Sequence, residues 1–96
     1  MKIVWTAPAV KDIEAIRDYI LRDSVIYAEA VIAEIFDRVD TLADFPKVGR
    51  VVPELAEEHT REVIVGSYRV VYDVGASTIT ILTVLHGARL FRDPRE

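Results

Sequence analysis

The chain contains no cysteine, which excludes a disulfide framework and any thiolate metal site. Its only histidines, His59 and His86, lie far apart and form no HExxH pair, so no metal ion and no other cofactor is expected. The four glycines, at 49, 66, 75 and 87, match neither GxGxxG nor a P-loop. Val65-Gly66-Ser67-Tyr68 lacks the second glycine and the following helix of a nucleophile elbow, so Ser67 reads as a turn residue. No apolar run approaches the length of a membrane-spanning helix, and no signal-peptide core follows Met1, so a cytoplasmic location is expected. Lysine is scarce: only Lys2, Lys11 and Lys47. With a net charge of −4, this argues against a partner held mainly by its phosphates, because such binding needs clustered cations that displace counterions.

What remains is a 96-residue chain that is 51% hydrophobic, enough for one core and therefore one domain over 1–96. Valine (14) and isoleucine (10) make up a quarter of it, which favours sheet. All cations after residue 48 are arginines: Arg50, Arg61, Arg69, Arg89, Arg92 and Arg95. The guanidinium presents a planar fork suited to carboxylate or phosphate.

Residues 2–5 read as a short strand. Thr6 is a helix cap, Pro8 is tolerated in the first turn, and Ala9, Ile13, Ile16 and Ile20 recur at helical spacing, which predicts a helix over 7–21. Ser24 caps a second helix, whose stripe Ala28, Val31, Ile35, Val39, Leu42 runs to about Ala43, where Phe45-Pro46 ends it. The short turn between them makes an αα-hairpin. Residues 47–50 form a loop, and 51–55 are extended or irregular. The period then falls to two. Arg61–Val65, Tyr68–Val74 and Thr78–Leu85 form an antiparallel meander that the first strand joins. The fold class is α+β, with the helices on one face of the sheet.

A two-residue turn at Gly66-Ser67 pairs Val65 with Tyr68 and Ile64 with Arg69. If Val74 faces Ser77, then Val70 faces Ile81 and Tyr72 faces Ile79. One face then carries Val63, Val65, Val70, Tyr72, Ile79, Ile81 and Leu85, and is the core face. The other is mixed and open: Glu62, Arg69, Asp73, Thr78 and Thr80, with Val71, Leu82, Val84 and His86. Its apolar members are candidates for a partner.

The chemistry these residues allow is general acid–base catalysis with arginine support, as in RNA cleavage through the 2′-hydroxyl. Arg61, Arg69 and Arg89 supply charge and His86 a proton near neutral pH. Glu54 is a base if its loop folds over the sheet. In this register Arg69 faces Leu82, and His86 is four residues further on, about 13 Å away along the strand.

Four segments in order carry a resemblance that spans the chain. They are Thr6-Ala7-Pro8-Ala9 with Asp12-Ile13, Ile16 and Tyr19-Ile20; Phe45-Pro46-Lys47-Val48-Gly49-Arg50-Val51-Val52-Pro53-Glu54; Arg61-Glu62 with Val65-Gly66-Ser67-Tyr68-Arg69-Val70-Val71-Tyr72; and Ile81-Leu82-Thr83-Val84-Leu85-His86-Gly87-Ala88-Arg89. The sequence resembles the RelE/ParE toxins of type II toxin–antitoxin modules, and more closely the ParE, or plasmid stabilisation, branch. The resemblance implies a toxin silenced by an antitoxin of the ParD/RelB kind. Its RelE branch implies a ribosome-dependent mRNA endonuclease, in which Arg69, Arg61 and His86 match functional positions. Its ParE branch implies a poison of DNA gyrase that is not an enzyme. The missing lysine cluster, the absence of a tyrosine after His86 and the acidic balance fit the ParE branch. A member that only binds its antitoxin is the third alternative. Antitoxin or target is expected on the outer side of the helical hairpin and on Ile64, Val71, Leu82 and Val84, with Arg50, Arg69 and Arg89 pairing with carboxylates.

Overall fold

A computed structural model describes residues 1–87 and Arg89; Ala88 and residues 90–96 lie outside the described residues. The element order is β1 (Lys2–Trp5), α1 (Ala7–Leu21), α2 (Val25–Thr41), β2 (Arg50–Val51), β3 (Thr60–Val65), β4 (Tyr68–Val74) and β5 (Thr78–His86). The helices start where their caps predict. The Thr6 hydroxyl accepts from Ala9 N at 3.2 Å, and the Ser24 hydroxyl accepts from Tyr27 N at 3.1 Å, so each satisfies a first-turn amide. No helix among the described residues is long and apolar enough to cross a membrane.

The five strands form one sheet in the order β1-β5-β4-β3-β2. The meander is antiparallel, and β1 joins its edge parallel to β5, pairing Ile3 with Ile79 and Trp5 with Ile81. The segment expected to be irregular contributes the short strand β2, which pairs Arg50 with Glu62. Both helices cover one face. There Ala9, Ile13, Ile35, Val39 and Leu42 pack on Val63, Val65, Val70, Tyr72, Ile79, Ile81 and Val84.

The β3–β4 register is as expected, with Val65 opposite Tyr68. Gly66 has φ +58° and Ser67 has no positive φ, the pattern of a type II′ hairpin turn, which places glycine first. The β4–β5 register differs from expectation. The turn takes four residues rather than two, with Gly75 N donating to Thr78 O, so Val74 faces Ile79 and Tyr72 faces Ile81. A β-bulge follows: Tyr72 pairs with Ile81, but the next residue, Val71, pairs with Thr83. Leu82 is the extra residue, and it shifts the alternation of everything after it. Val84 therefore turns to the helices and Leu85 to the other face, the reverse of a uniform period of two.

The N-terminal elements satisfy the polar groups at this bulge. Thr6 N donates to Ile81 O at 3.1 Å, and the Thr6 hydroxyl shares its proton between Ile81 O (2.8 Å) and Leu82 O (3.1 Å). From α1, one carboxylate oxygen of Asp12 accepts from Val84 N at 3.0 Å and from the Thr83 hydroxyl. The second face of the sheet is not open. The chain after β2 crosses it, and Val52 and Leu55 pack on Val71, Leu82 and Leu85.

Candidate functional site

Arg69 lies on that second face of β4, beneath the crossing segment. Its five N–H groups all have acceptors. Nε donates to Glu62 Oε1 at 3.2 Å. Nη1 donates to Glu54 Oε2 (2.9 Å) and to the Arg89 carbonyl (3.3 Å), and Nη2 donates to Glu54 Oε1 (2.9 Å) and to Glu62 Oε1. Glu62, fully buried on β3, uses its other oxygen for Arg50, which reaches in from β2 with Nε at 2.9 Å and Nη2 at 2.8 Å. The side chains of Glu62 and Arg69 are 0% and 7% exposed, those of Glu54 and Arg50 29% and 64%. Two arginines and two glutamates leave the cluster without net charge. The hydrogen bonds that Arg69 donates to Glu54, and then to Glu62, outweigh burial and hold its guanidinium above its ordinary pKa, so it stays charged and cannot act as an acid or base.

The residues singled out in the sequence do not converge. Glu54 does fold over the sheet, as a base would require, but both its oxygens are engaged by Arg69. Arg61 is at the end of β3, opposite Tyr72, where it donates to Gly49 O at 2.9 Å and to Lys47 O at 3.4 Å and pairs with Glu58. It fastens the loop before β2. Tyr72 assists from the core: its hydroxyl accepts from Gly49 N at 3.0 Å, and burial raises its pKa.

His86 is opposite Tyr68, and Arg69 is opposite Leu85 rather than Leu82. The separation expected along the strand is thus replaced by a separation across the sheet. His86 stands edge-on to Tyr68 on the helix side, with ring centroids 5.8 Å apart, while Arg69 is sealed on the other side. The expected apolar docking face is also corrected. Val71 and Leu82 are on the second face, but Val52 and Leu55 bury them. The bulge moves Val84 into the main core. Of the four, only Ile64 is exposed, at 53%. Arg50 and Arg89 reach the surface.

An accessible concavity lies elsewhere, at the junction of α1 with the sheet. A groove of about 370 Å³ runs between α1 and the ends of β4 and β5, with Tyr19, Tyr68, His86 and Arg89 around an apolar floor. Tyr68 is pushed to a higher pKa by burial and by the neighbouring Tyr27 and Tyr19. Sequence reasoning missed Tyr68, Tyr19 and the buried Glu62. Glu62 had a signal, an acid immediately beside Arg61 in an otherwise β-branched strand. Among the described residues no group of three His, Asp or Glu is placed to hold a metal ion.

Residues 3–91 match the model of the ParE toxin of type II toxin–antitoxin systems. Toxin RelE2 of Caulobacter vibrioides is 37% identical over 90 residues, which span 93% of this chain and 98% of that one. The chain belongs to the ParE toxin family. Solved structures agree with the fold of this toxin. The chromosomal ParDE system from P. aeruginosa superposes with a TM-score of 0.74 at 22% identity, covering 90% of this chain and 95% of that one. The RelBE2 toxin–antitoxin complex from Mycobacterium tuberculosis superposes with a TM-score of 0.64, also at 22% identity, covering 88% and 95%.

Proposed function

We propose that this toxin acts by binding a protein, with DNA gyrase as the target, and that a cognate antitoxin of the ParD/RelB kind silences it in the cytoplasm. The observation that carries this reading is the state of Arg69. Phosphoryl chemistry at RNA needs cationic donors free to meet charge that develops on phosphate. Every N–H of Arg69 is spent on Glu54, Glu62 and a backbone carbonyl, and the cluster around it is neutral. His86, the other residue that a nuclease reading needs, is on the opposite face of the sheet. The scarcity of lysine and the net charge of −4 support the same reading.

The second reading is ribosome-dependent mRNA cleavage. It is favoured by the name of the 37% identical relative, Toxin RelE2, and by His86 and Arg89 bordering one groove. A paired assay on purified toxin separates the two: gyrase supercoiling in one reaction, transcript cleavage on translating ribosomes in the other. Inhibition of supercoiling with trapped, cleaved DNA is the expected result. Transcript cleavage with gyrase untouched would replace the first reading with the second. Inactivity in both, together with harmless expression without antitoxin, would leave only an antitoxin-binding protein.

A further inference from the structure

α2 carries more apolar surface than its packing uses. It buries Ala28, Ile35 and Val39. On the side away from that stripe, Ile26, Ala30 and Ala33 fall at helical spacing on one face, and all three are exposed, Ile26 at 83%. Val25, 57% exposed, borders this face at its start. Phe36 borders it further along, where its ring leans on Trp5 with centroids 5.1 Å apart. An outward helix face is ordinarily polar, and apolar side chains scattered singly on a surface need no explanation. Here the first half of α2 turns a continuous apolar stripe to solvent, and the fold makes no use of it.

The same face is acidic. Glu29 is one turn before Ala33, and Asp37 and Asp40 continue the face toward the end of the helix. All three are exposed, and none is ion-paired among the described residues. Arg38, the one cation in α2, is on the sheet side, where its charge acts on the buried Tyr72 hydroxyl. Three carboxylates and no cation thus frame the apolar stripe. That pattern repels the phosphates of a nucleic acid or an anionic lipid surface. A second copy docked through this face would set the same carboxylates against one another. What the pattern complements is an apolar segment flanked by lysine or arginine, whose alkyl stems also cover apolar surface.

We infer that the toxin grips gyrase through this outer face of α2, which receives an apolar segment of that protein flanked by lysine or arginine. The inference rests on the reading that gyrase is the target, and it names the surface used and the chemistry of the segment bound. The groove against α1 has no lining residue from α2, so substitutions on this face leave that groove intact.

The probe is purified gyrase, assayed for supercoiling with wild-type toxin and with Ile26→Ala, Ala33→Arg, the double variant Asp37→Lys/Asp40→Lys, and Phe45→Ala. All these positions are exposed, so the variants are expected to fold, and Phe45 is an apolar residue outside α2. Lysines near the C-terminal end of α2 also suit its dipole. The expected result is an inhibitory dose at least tenfold higher for Ala33→Arg and for the double variant, a smaller rise for Ile26→Ala and none for Phe45→Ala. Added salt should weaken wild-type binding to gyrase more than that of the double variant. Calorimetric titration with the antitoxin encoded beside this toxin should give the same affinity for every variant.

Inhibition of gyrase that all the α2 variants retain would overturn the inference and leave the gyrase reading standing. Wild-type toxin without effect on gyrase would sink that reading, and the inference with it. A loss for Ala33→Arg but not for the double variant would overturn the basic character of the bound segment. Variants that keep gyrase inhibition but lose antitoxin affinity would assign the face to the antitoxin and overturn the inference. So would a wild-type dimer that Ala33→Arg splits into monomers with inhibition intact, which would assign the face to a second copy.

Discussion

The Arg69 guanidinium and the Glu54 carboxylate meet fork to fork, Nη1 to Oε2 and Nη2 to Oε1 each at 2.9 Å. This contact ties the segment that follows β2 to the middle of the sheet. It also closes that segment over Val71, Leu82 and Leu85, so one ion pair and one small apolar cluster seal the same face.

Arg69→Ala is therefore expected to damage the fold. It would leave Glu62 buried with Arg50 as its remaining cation and release Glu54 from the sheet. Removing one member of a buried pair costs about 3 kcal/mol. Arg69→Lys should recover only part of this, because an ammonium cannot satisfy two carboxylates with a planar fork. Urea unfolding of the three proteins checks it. An Arg69→Ala protein as stable as wild type but inactive would return Arg69 to a direct functional role.

Asp12 is the link between α1 and the bulge in β5. Asp12→Ala strands the amide of Val84, a residue only 2% exposed, and is expected to cost about 1 to 3 kcal/mol. Asp12→Asn keeps an oxygen for that amide and should lose less. The amide resonances of Thr83 through His86 are the sharper readout, since the bulge sets which way those residues face. If they do not move in Asp12→Ala, the bulge holds without the carboxylate.

Much of this architecture was legible in the sequence. The boundaries of α1 and both N-caps could be read because Thr6 and Ser24 each precede a clean helical stripe. The β3–β4 pairing could be read because Gly66-Ser67 permits a single short turn. The β4–β5 register could not, because Gly75-Ala76-Ser77 allows turns of more than one length. Yet the bulge had a trace: Ile81-Leu82 and Val84-Leu85 are adjacent apolar pairs where strict alternation would place one apolar residue each. At the candidate site, alternation assigned Glu62, Arg69, Val71 and Leu82 to one face correctly. It could not say that the chain itself covers that face, because residues 52–58 have no periodicity to read. The groove against α1 was illegible for a related reason: Tyr19 and Tyr68 come from different elements and line one concavity only when α1 docks on the sheet.

Two glycines separate crowding from backbone conformation. A Cβ on Gly49 would lie 2.5 Å from Glu62 O and 2.6 Å from the Tyr72 hydroxyl, whereas one on Gly66 would meet nothing within 4 Å. Gly66, however, has φ +58°, which an alanine adopts only at a cost of about 1 to 2 kcal/mol. Gly49→Ala should be the more harmful of the two, because the atoms it meets are backbone and a buried hydroxyl with little room to yield. Thermal melts of the two variants order them, and a Gly66→Ala protein that melts lower than Gly49→Ala would refute the ranking.

Tyr72 gives the alkaline limit of the fold a specific origin. Burial raises its pKa above the ordinary value of 10.0, while the Gly49 amide and Arg61 oppose the rise only in part. The unfolded chain therefore loses this proton at lower pH than the folded one. The neutral tyrosine's contribution is complete below pH 10 and falls away as the pH climbs through the folded value. Tyr72→Phe removes the acceptor of a buried Gly49 N–H and should cost about 1 kcal/mol at neutral pH. It also removes the titration. Denaturant midpoints followed from about pH 8 to about pH 11 should accordingly show the wild-type curve descending more steeply than the Tyr72→Phe curve, so that the gap between them narrows. Tyr68, also raised by burial, is present in both proteins and cancels from the comparison. Two curves that stay parallel across that range would mean that Tyr72 ionises as readily in the fold as outside it, and that burial of its ring does not set the alkaline limit.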